Sequence, residues 1–305
     1  MVDSDYKGKY KMEKRFFCKE NEKRLKYYKS GNLKSISNYN VEGQRHGYFK
    51  TFYENGYVQS SYYYKYDRLN GYVVHFYPNG ILKSYRMYSY NRKIGFYKNY
   101  HENGILRTFF KYDKYGRKDG MILEFYDNEI LKSKTQMKNG KKNGKMIKYF
   151  QNGNVNCIIT YKNDKKNGKS LEFDENNNII ETNSYINDLK DGYYFKFKDN
   201  KIEVQGFYIL GRKHNKEIQY DENEMIKSIF HYKFGYKDGL QYENIITLLI
   251  SYYKYNKKIL SIGIENECCI CYESTKWITE CGHFLCLGCC EKLYNLSCPL
   301  CRKNF

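Results

Sequence analysis

The sequence predicts a mainly β protein: an elongated array of antiparallel hairpins followed by a small, metal-stapled α+β module. Three observations carry that prediction. Two glycine-centred marks recur in step about every 24 residues, aromatic and aliphatic residues keep fixed places between them, and nine of the eleven cysteines fall between Cys268 and Cys301. Composition agrees. The 305 residues include 37 Tyr and 23 Gly but only 2 Pro and no Ala, so the best helix former is missing while strand and turn formers abound. A hydrophobic fraction of 41% and an aromatic fraction of 18% exclude a disordered basic tail. The excess of 53 basic over 34 acidic residues, a net +19, marks either an acidic partner or the residue bias of an AT-rich genome.

The first mark falls at Gly31, Gly56, Gly80, Gly104, Glu129, Gly153, Asn177, Asn200 and Glu224. The second follows at Gly47, Gly71, Gly95, Gly120, Gly144, Gly168, Gly192, Asn215 and Gly239. Four residues before the first mark stands an aromatic in every copy except the eighth, which has Lys196. An aliphatic residue follows the mark by two, and Tyr follows by eight except at Met137. The +2 and +8 places share parity, as one strand face requires. Turn chemistry sets the register. A two-residue loop would turn the aromatic to the wrong face, whereas a type I turn ending in a left-handed glycine pairs −4 with +2. Pro78 supports the second choice, because it takes the i+1 place of such a turn before Asn79 and Gly80. Replacement of the glycine in copies five, seven, eight and nine predicts distorted or capping hairpins there.

The pattern Y-x-x-N-G-x-L-K…Y…G-x-K-x-G resembles MORN repeats, in the variant of antitoxin-like and large-DNA-virus proteins. The resemblance implies a stacked, twisted antiparallel sheet of about nine copies, used for protein scaffolding or for binding acidic lipid headgroups. Two residues before the second mark a basic residue recurs: Arg45, Lys93, Lys118, Lys142, Lys166, Lys190, Lys213 and Lys237, with Leu69 the exception. Stacked copies would align these into a basic ladder facing an acidic protein or lipid surface. The alternative is that they guard turns and sheet edges against aggregation. Nucleic acid is disfavoured, because the recurring Tyr falls on the hairpin's inward face rather than on an exposed stacking platform.

The C-terminal segment reads C268-x2-C271-x9-C281-x-H283-x2-C286-x2-C289-x8-C298-x2-C301. Eight donors in four close pairs suit two tetrahedral zinc ions, and C-x-x-C spacing favours metal over disulfides. Cys18, Cys157, Cys269 and Cys290 are left as non-ligand thiols, and Trp277 as core packing. The spacing, with CGHFLC and CPLC, resembles a RING finger. That resemblance implies a cross-brace: Cys268, Cys271, Cys286 and Cys289 on one structural zinc, with Cys281, His283, Cys298 and Cys301 on the other. It also implies a ubiquitin ligase that holds a conjugating enzyme and its ubiquitin thioester without a covalent intermediate of its own. Carried over residue by residue, Ile270, Leu293 and Pro299 match contacts to the conjugating enzyme. Arg302 matches the linchpin that bridges that enzyme and ubiquitin.

The expected organisation is an N-terminal segment (1–24), the repeat array (25–244), a connection holding a last strand and a linker (245–264), and the RING-like module (265–305). The +19 lies wholly before residue 266, because four basic and four acidic residues balance from Asn266 to Phe305. No stretch reads as a signal peptide or a membrane span, which predicts an intracellular protein. A ubiquitin-using organism, or a large DNA virus of a protist, is the expected source. The leading expectation is a ligase whose repeats choose a protein substrate. A non-catalytic zinc-stapled adaptor, with or without tethering to acidic membranes, is the alternative.

Overall fold

The computed structural model describes residues 21–244 and 249–305, so most of the expected N-terminal segment, with Cys18, and residues 245–248 lie outside the described residues. The chain divides into two units, one ending at Arg117 and the other running from Lys118 to Phe305. Within each unit every long strand is antiparallel to its neighbour in sequence, as a chain of hairpins requires. The fold is mainly β, and it is a hairpin array.

The turns obey the chemistry read from the sequence. Tyr27 pairs with Leu33, Phe52 with Val58 and Phe76 with Leu82, each at a register shift that leaves one extra residue on the second strand. The Gly80 N–H donates to the Tyr77 carbonyl (2.9 Å) and the Tyr77 N–H to the Ile81 carbonyl (2.8 Å), with Gly80 at φ +83°. This is a type I turn closed by a left-handed residue. Hairpins without the glycine are not distorted: Glu129, Asn177 and Glu224 take φ values of 70°, 67° and 63° and close the same turn. The eighth copy does differ. One residue short, it turns on Asp199 and Asn200, both left-handed, and pairs Phe197 with Ile202. The aromatic place assigned to Lys196 therefore belongs to Phe197.

Copy length is likewise a matter of turns. Most copies close their second turn on two left-handed residues, such as Tyr66-Asp67 and Asn163-Asp164. Where the interval lengthens to 25, a three-residue turn closed by Gly43 or Gly116 takes its place.

Call the face bearing the +2, +4, +6 and +8 positions the inner face. On it, Tyr64 lies opposite Gly47, Tyr88 opposite Gly71 and Tyr185 opposite Gly168. The glycines are needed for backbone shape, with φ near +100° at Gly71, Gly168 and Gly192. Burial on this face is shallow and partly polar: Ser60, Ser133, Ser170 and Asn183 are buried alongside Phe110, Met137 and Tyr194.

The deepest core lies at the C-terminal end of the second unit. The stretch expected as connection holds two strands, Leu249–Lys254 and Lys257–Glu267, joined by a turn on Tyr255-Asn256. The first pairs with Gly239–Asn244 and the second with Ser274–Thr279, so the ladder runs from the repeats into the cysteine-rich segment. Tyr252, Ile259 and Leu260 from this hairpin pack with Cys268, Leu285 and Cys290, and Ile259, Leu260, Cys268 and Leu285 are fully buried. A module of about 40 residues rarely fills a core alone. Here the preceding hairpin completes it.

Candidate metal centre

Three short loops and one helical turn bring the eight donors together. After Lys257–Glu267, Cys268 begins a tight loop in which the Tyr272 N–H returns to the Cys268 carbonyl (3.0 Å) with Tyr272 at φ 57°. The C-terminal loop repeats this form: the Arg302 N–H donates to the Cys298 carbonyl (2.9 Å), with Arg302 at φ 58°. Each of these two C-x-x-C pairs is thus followed by a left-handed residue. Between them, Ser274–Thr279 leads into a turn where the Gly282 N–H meets the Thr279 carbonyl (2.9 Å) and Gly282 sits at φ +86°. The Thr279 hydroxyl also lies 3.1 Å from the Cys281 Sγ and donates to the His283 carbonyl (2.9 Å). Cys286 caps the helix Leu287–Glu291, and its Sγ accepts the Cys289 N–H (3.4 Å).

The donors form two groups, Cys268, Cys271, Cys286 and Cys289, then Cys281, His283, Cys298 and Cys301, the atoms of each within 4.8 Å of one another. The chain therefore interleaves: first and third pairs meet, as do second and fourth. Tetrahedral zinc with Zn–S near 2.3 Å requires sulfurs roughly 3.8 Å apart. Cys271 and Cys286 Sγ are 3.6 Å apart, and the His283 Nδ1 lies 3.5 Å from Cys281 Sγ and 3.4 Å from Cys298 Sγ. Both groups can hold zinc. Burial would raise the Cys268 thiol, but backbone N–H groups of Cys271, Cys286 and Ile270 outweigh it and bring the thiol down to about 6. Such a cradle favours the thiolate that a metal needs.

The leftover thiols separate cleanly. Cys290 is 2% exposed in the core, its thiol pushed up to about 12 by burial, and Cys269 packs at the edge of the same cluster. Trp277 rests against that cluster too. Ile270 is 41% exposed, and Pro299 and Arg302 are also exposed. Leu293 follows the helix, which stops at Glu291, and leans on the core while its carbonyl accepts the Lys254 ammonium (3.0 Å). Leu300, 57% exposed within the last C-x-x-C, and the solvent-facing Tyr272 and Tyr294 were not singled out from the sequence. For Leu300 and Tyr272 the only signal was a place next to a donor.

The basic ladder exists, but its cations point into the array. Arg45 stands over the Tyr64 ring (4.5 Å) and Lys93 over Tyr112 (5.8 Å) in the first unit. In the second, Lys142, Lys166, Lys190, Lys213 and Lys237 stand over Tyr161, Tyr185, Tyr208, Tyr232 and Tyr253 at 4.9–5.4 Å. Each ring but Tyr253 is the +8 Tyr of the following copy, and Tyr253 lies on the strand Leu249–Lys254 that follows the last copy. The backbone at this place is stapled as well: the Lys142 N–H donates to Asp164 Oδ1 (2.7 Å), and the Asp164 N–H returns to the Lys142 carbonyl (2.9 Å). Arg45 with Asp67 and Lys166 with Asp188 repeat the exchange, and Leu69 makes it with Asn91, without a cation. Lys118 contributes its carbonyl to Gly140.

Among described residues no helix is long and apolar enough to cross a membrane. Comparison with curated proteins gave no match. Among solved structures, a Photorhabdus luminescens Tc holotoxin pore is similar at 9% identity over 81% of this chain and 15% of that chain, with a TM-score of 0.16. A TcdB2–TccC3 crystal structure is similar at 12% identity over 86% of this chain and 18% of that one, with a TM-score of 0.14. The chain thus spans less than a fifth of the length of either. The MORN repeat variant matches residues 23–40, 69–90, 142–163 and 166–187, and the last three segments each begin at the ladder position. The hairpins of this chain include four copies of the MORN repeat variant.

Proposed function

We propose that the chain is a RING-type ubiquitin ligase whose MORN-like hairpins hold a protein substrate or partner. The observation that carries this reading is the interleaving of two four-donor groups with Ile270, Pro299 and Arg302 left exposed around them. Zinc, when bound, supplies structure only, since four protein donors fill each tetrahedron and leave no place for a reactive water. The exposed residues then do the work. Ile270 and Pro299 present an apolar contact to a conjugating enzyme, with Leu293 supporting them from the core. Arg302, held at a left-handed backbone, carries a planar multi-donor guanidinium that suits bridging that enzyme and ubiquitin. The substrate amine attacks the enzyme's thioester, and the rate gain comes from positioning. Such chemistry belongs in a ubiquitin-using cell, or in a virus infecting one.

The test is a reconstituted reaction with ubiquitin, activating enzyme and a broad panel of conjugating enzymes. Self-modification is expected, falling about tenfold or more with Arg302→Ala or Ile270→Ala while zinc content stays at two per chain. Full zinc content without any chain formation across the panel leaves the second reading, a zinc-stapled adaptor. That reading draws on the core shared between the module and the last hairpin, which fixes one to the other. Tethering to acidic lipid through the ladder is less favoured, because those cations are engaged with tyrosine rings.

A further inference from the structure

We propose that the outer face of the first unit binds single-stranded nucleic acid. The rings concerned are not the +8 tyrosines, which are committed to the inner face. They belong to a separate series one residue past the second mark: Tyr48, Tyr72 and Phe96, exposed by 60%, 52% and 47%. Each stands against a second ring on the next strand. Tyr48 meets Tyr63 at 5.1 Å between centroids, Tyr72 meets Tyr85 at 5.0 Å, and Phe96 stacks on Phe109 at 5.3 Å with an 18° interplanar angle. Three successive copies therefore present one aromatic pair each, on one face, to solvent.

The charge around the pairs has one sign. Lys50, Lys98 and Lys111 lie on the same face, and the Lys50 and Lys111 ammonium groups reach to 6.0 Å and 5.8 Å of the Tyr48 and Phe96 rings. No carboxylate occupies a strand position on this face among the described residues. Glu42, Glu54, Asp67, Glu102 and Asp113 all sit in turns or at strand ends, and Glu22 shares the inner face with Tyr39. Rings alternating with cations and without acids are what a polyanion carrying π-faces requires. Stacking needs unpaired bases, so a row of exposed rings of this kind selects single strands over duplex. An acidic peptide would use the cations but leave the rings idle, and a membrane would bury the rings without regard to stacking.

The experiment is fluorescence anisotropy of a short labelled oligouridylate titrated with the whole chain. Saturable binding that weakens as salt rises is expected. The triple variant Tyr48→Ala, Tyr72→Ala, Phe96→Ala should weaken it by about tenfold or more while melting at the parent temperature. Lys50→Gln with Lys98→Gln should flatten the salt dependence. Unlabelled oligouridylate should compete, whereas a duplex, polyglutamate and phosphatidylserine vesicles should compete poorly. Parent-like binding by a folded ring variant, equal competition by polyglutamate or vesicles, or no binding at low salt would each overturn the proposal. Because the ring variant leaves the zinc module untouched, ligase activity and this binding fail independently.

Discussion

Left-handed backbone is demanded of the last residue in each first turn, and a glutamate there works against its own Cβ. Such a conformation costs a non-glycine residue about 1–2 kcal/mol, less for asparagine. Glu129→Gly should therefore raise stability by roughly 0.5–1 kcal/mol in urea unfolding, part of the gain being returned through the freer unfolded chain. The opposite change, Gly192→Ala, should cost about 1–2 kcal/mol, since φ is +106° and the new Cβ would lie 3.2 Å from that of Ser184. If both variants unfold at the parent midpoint, left-handed backbone strain is not what set these residues. The inner-face tyrosines make a second prediction. Burial, with the Glu217 charge and Tyr208 adding to it, lifts Tyr232 to about 12, and burial raises Tyr112, Tyr161, Tyr185 and Tyr208 as well. An unfolded tyrosine ionises near 10, so between about 10 and 12 the folded chain holds more protons than the unfolded one. Stability is then complete below 10 and falls as pH rises through that window. Urea midpoints measured across it should drop, less steeply for Tyr232→Phe.

Between hairpins, the stabilising bonds are those a strand ladder does not make. Asp164 both accepts from and donates to the Lys142 backbone, and Asp188 does the same for Lys166. Other copies use asparagine: Asn91 on Leu69 and Asn256 on Lys237. Asp164→Asn should thus keep the parent stability, while Asp164→Ala should lose about 1 kcal/mol. An asparagine variant as weak as the alanine one would assign the effect to charge rather than to the staple. Tyrosine hydroxyls add a further link, Tyr28 to the Phe52 carbonyl (2.7 Å) and Tyr77 to the Tyr100 carbonyl (2.9 Å), each reaching one copy ahead.

Within each unit, each hairpin leans on its neighbours, whereas the cysteine-rich end depends on its donors. Trp277, the single tryptophan, rests on the core that joins this end to the last hairpin. Stripping metal with a chelator should shift Trp277 emission to the red and loosen this end, while the far-ultraviolet signal of the repeat strands persists. An unmoved emission after complete metal removal would mean that Ile259, Leu260 and Leu285 hold the module unaided.

Much of this was legible in one dimension because the deciding forces are local. A turn is chosen by three or four adjacent residues, so Pro78-Asn79-Gly80 disclosed the register that Phe76 and Leu82 adopt. Donor pairs with one or two residues between them disclose a metal for the same reason. Lys196 misled because a missing residue is absorbed where the turn is cheapest to shorten, at Asp199-Asn200, a detail of closure rather than of period.

By itself the sequence determined the period, the hairpin register, the inward parity of the +8 tyrosines and the eight clustered donors. Only the tertiary structure decided where the positive charge goes. The ladder lysines turn inward onto rings one copy away, and a different aromatic series is left outward among cations. It also decided that the cysteine-rich end shares a core with the hairpin before it. The physical reason is the same for both. A side chain's partner one repeat away is set by how hairpins stack, and no short window of residues contains that geometry.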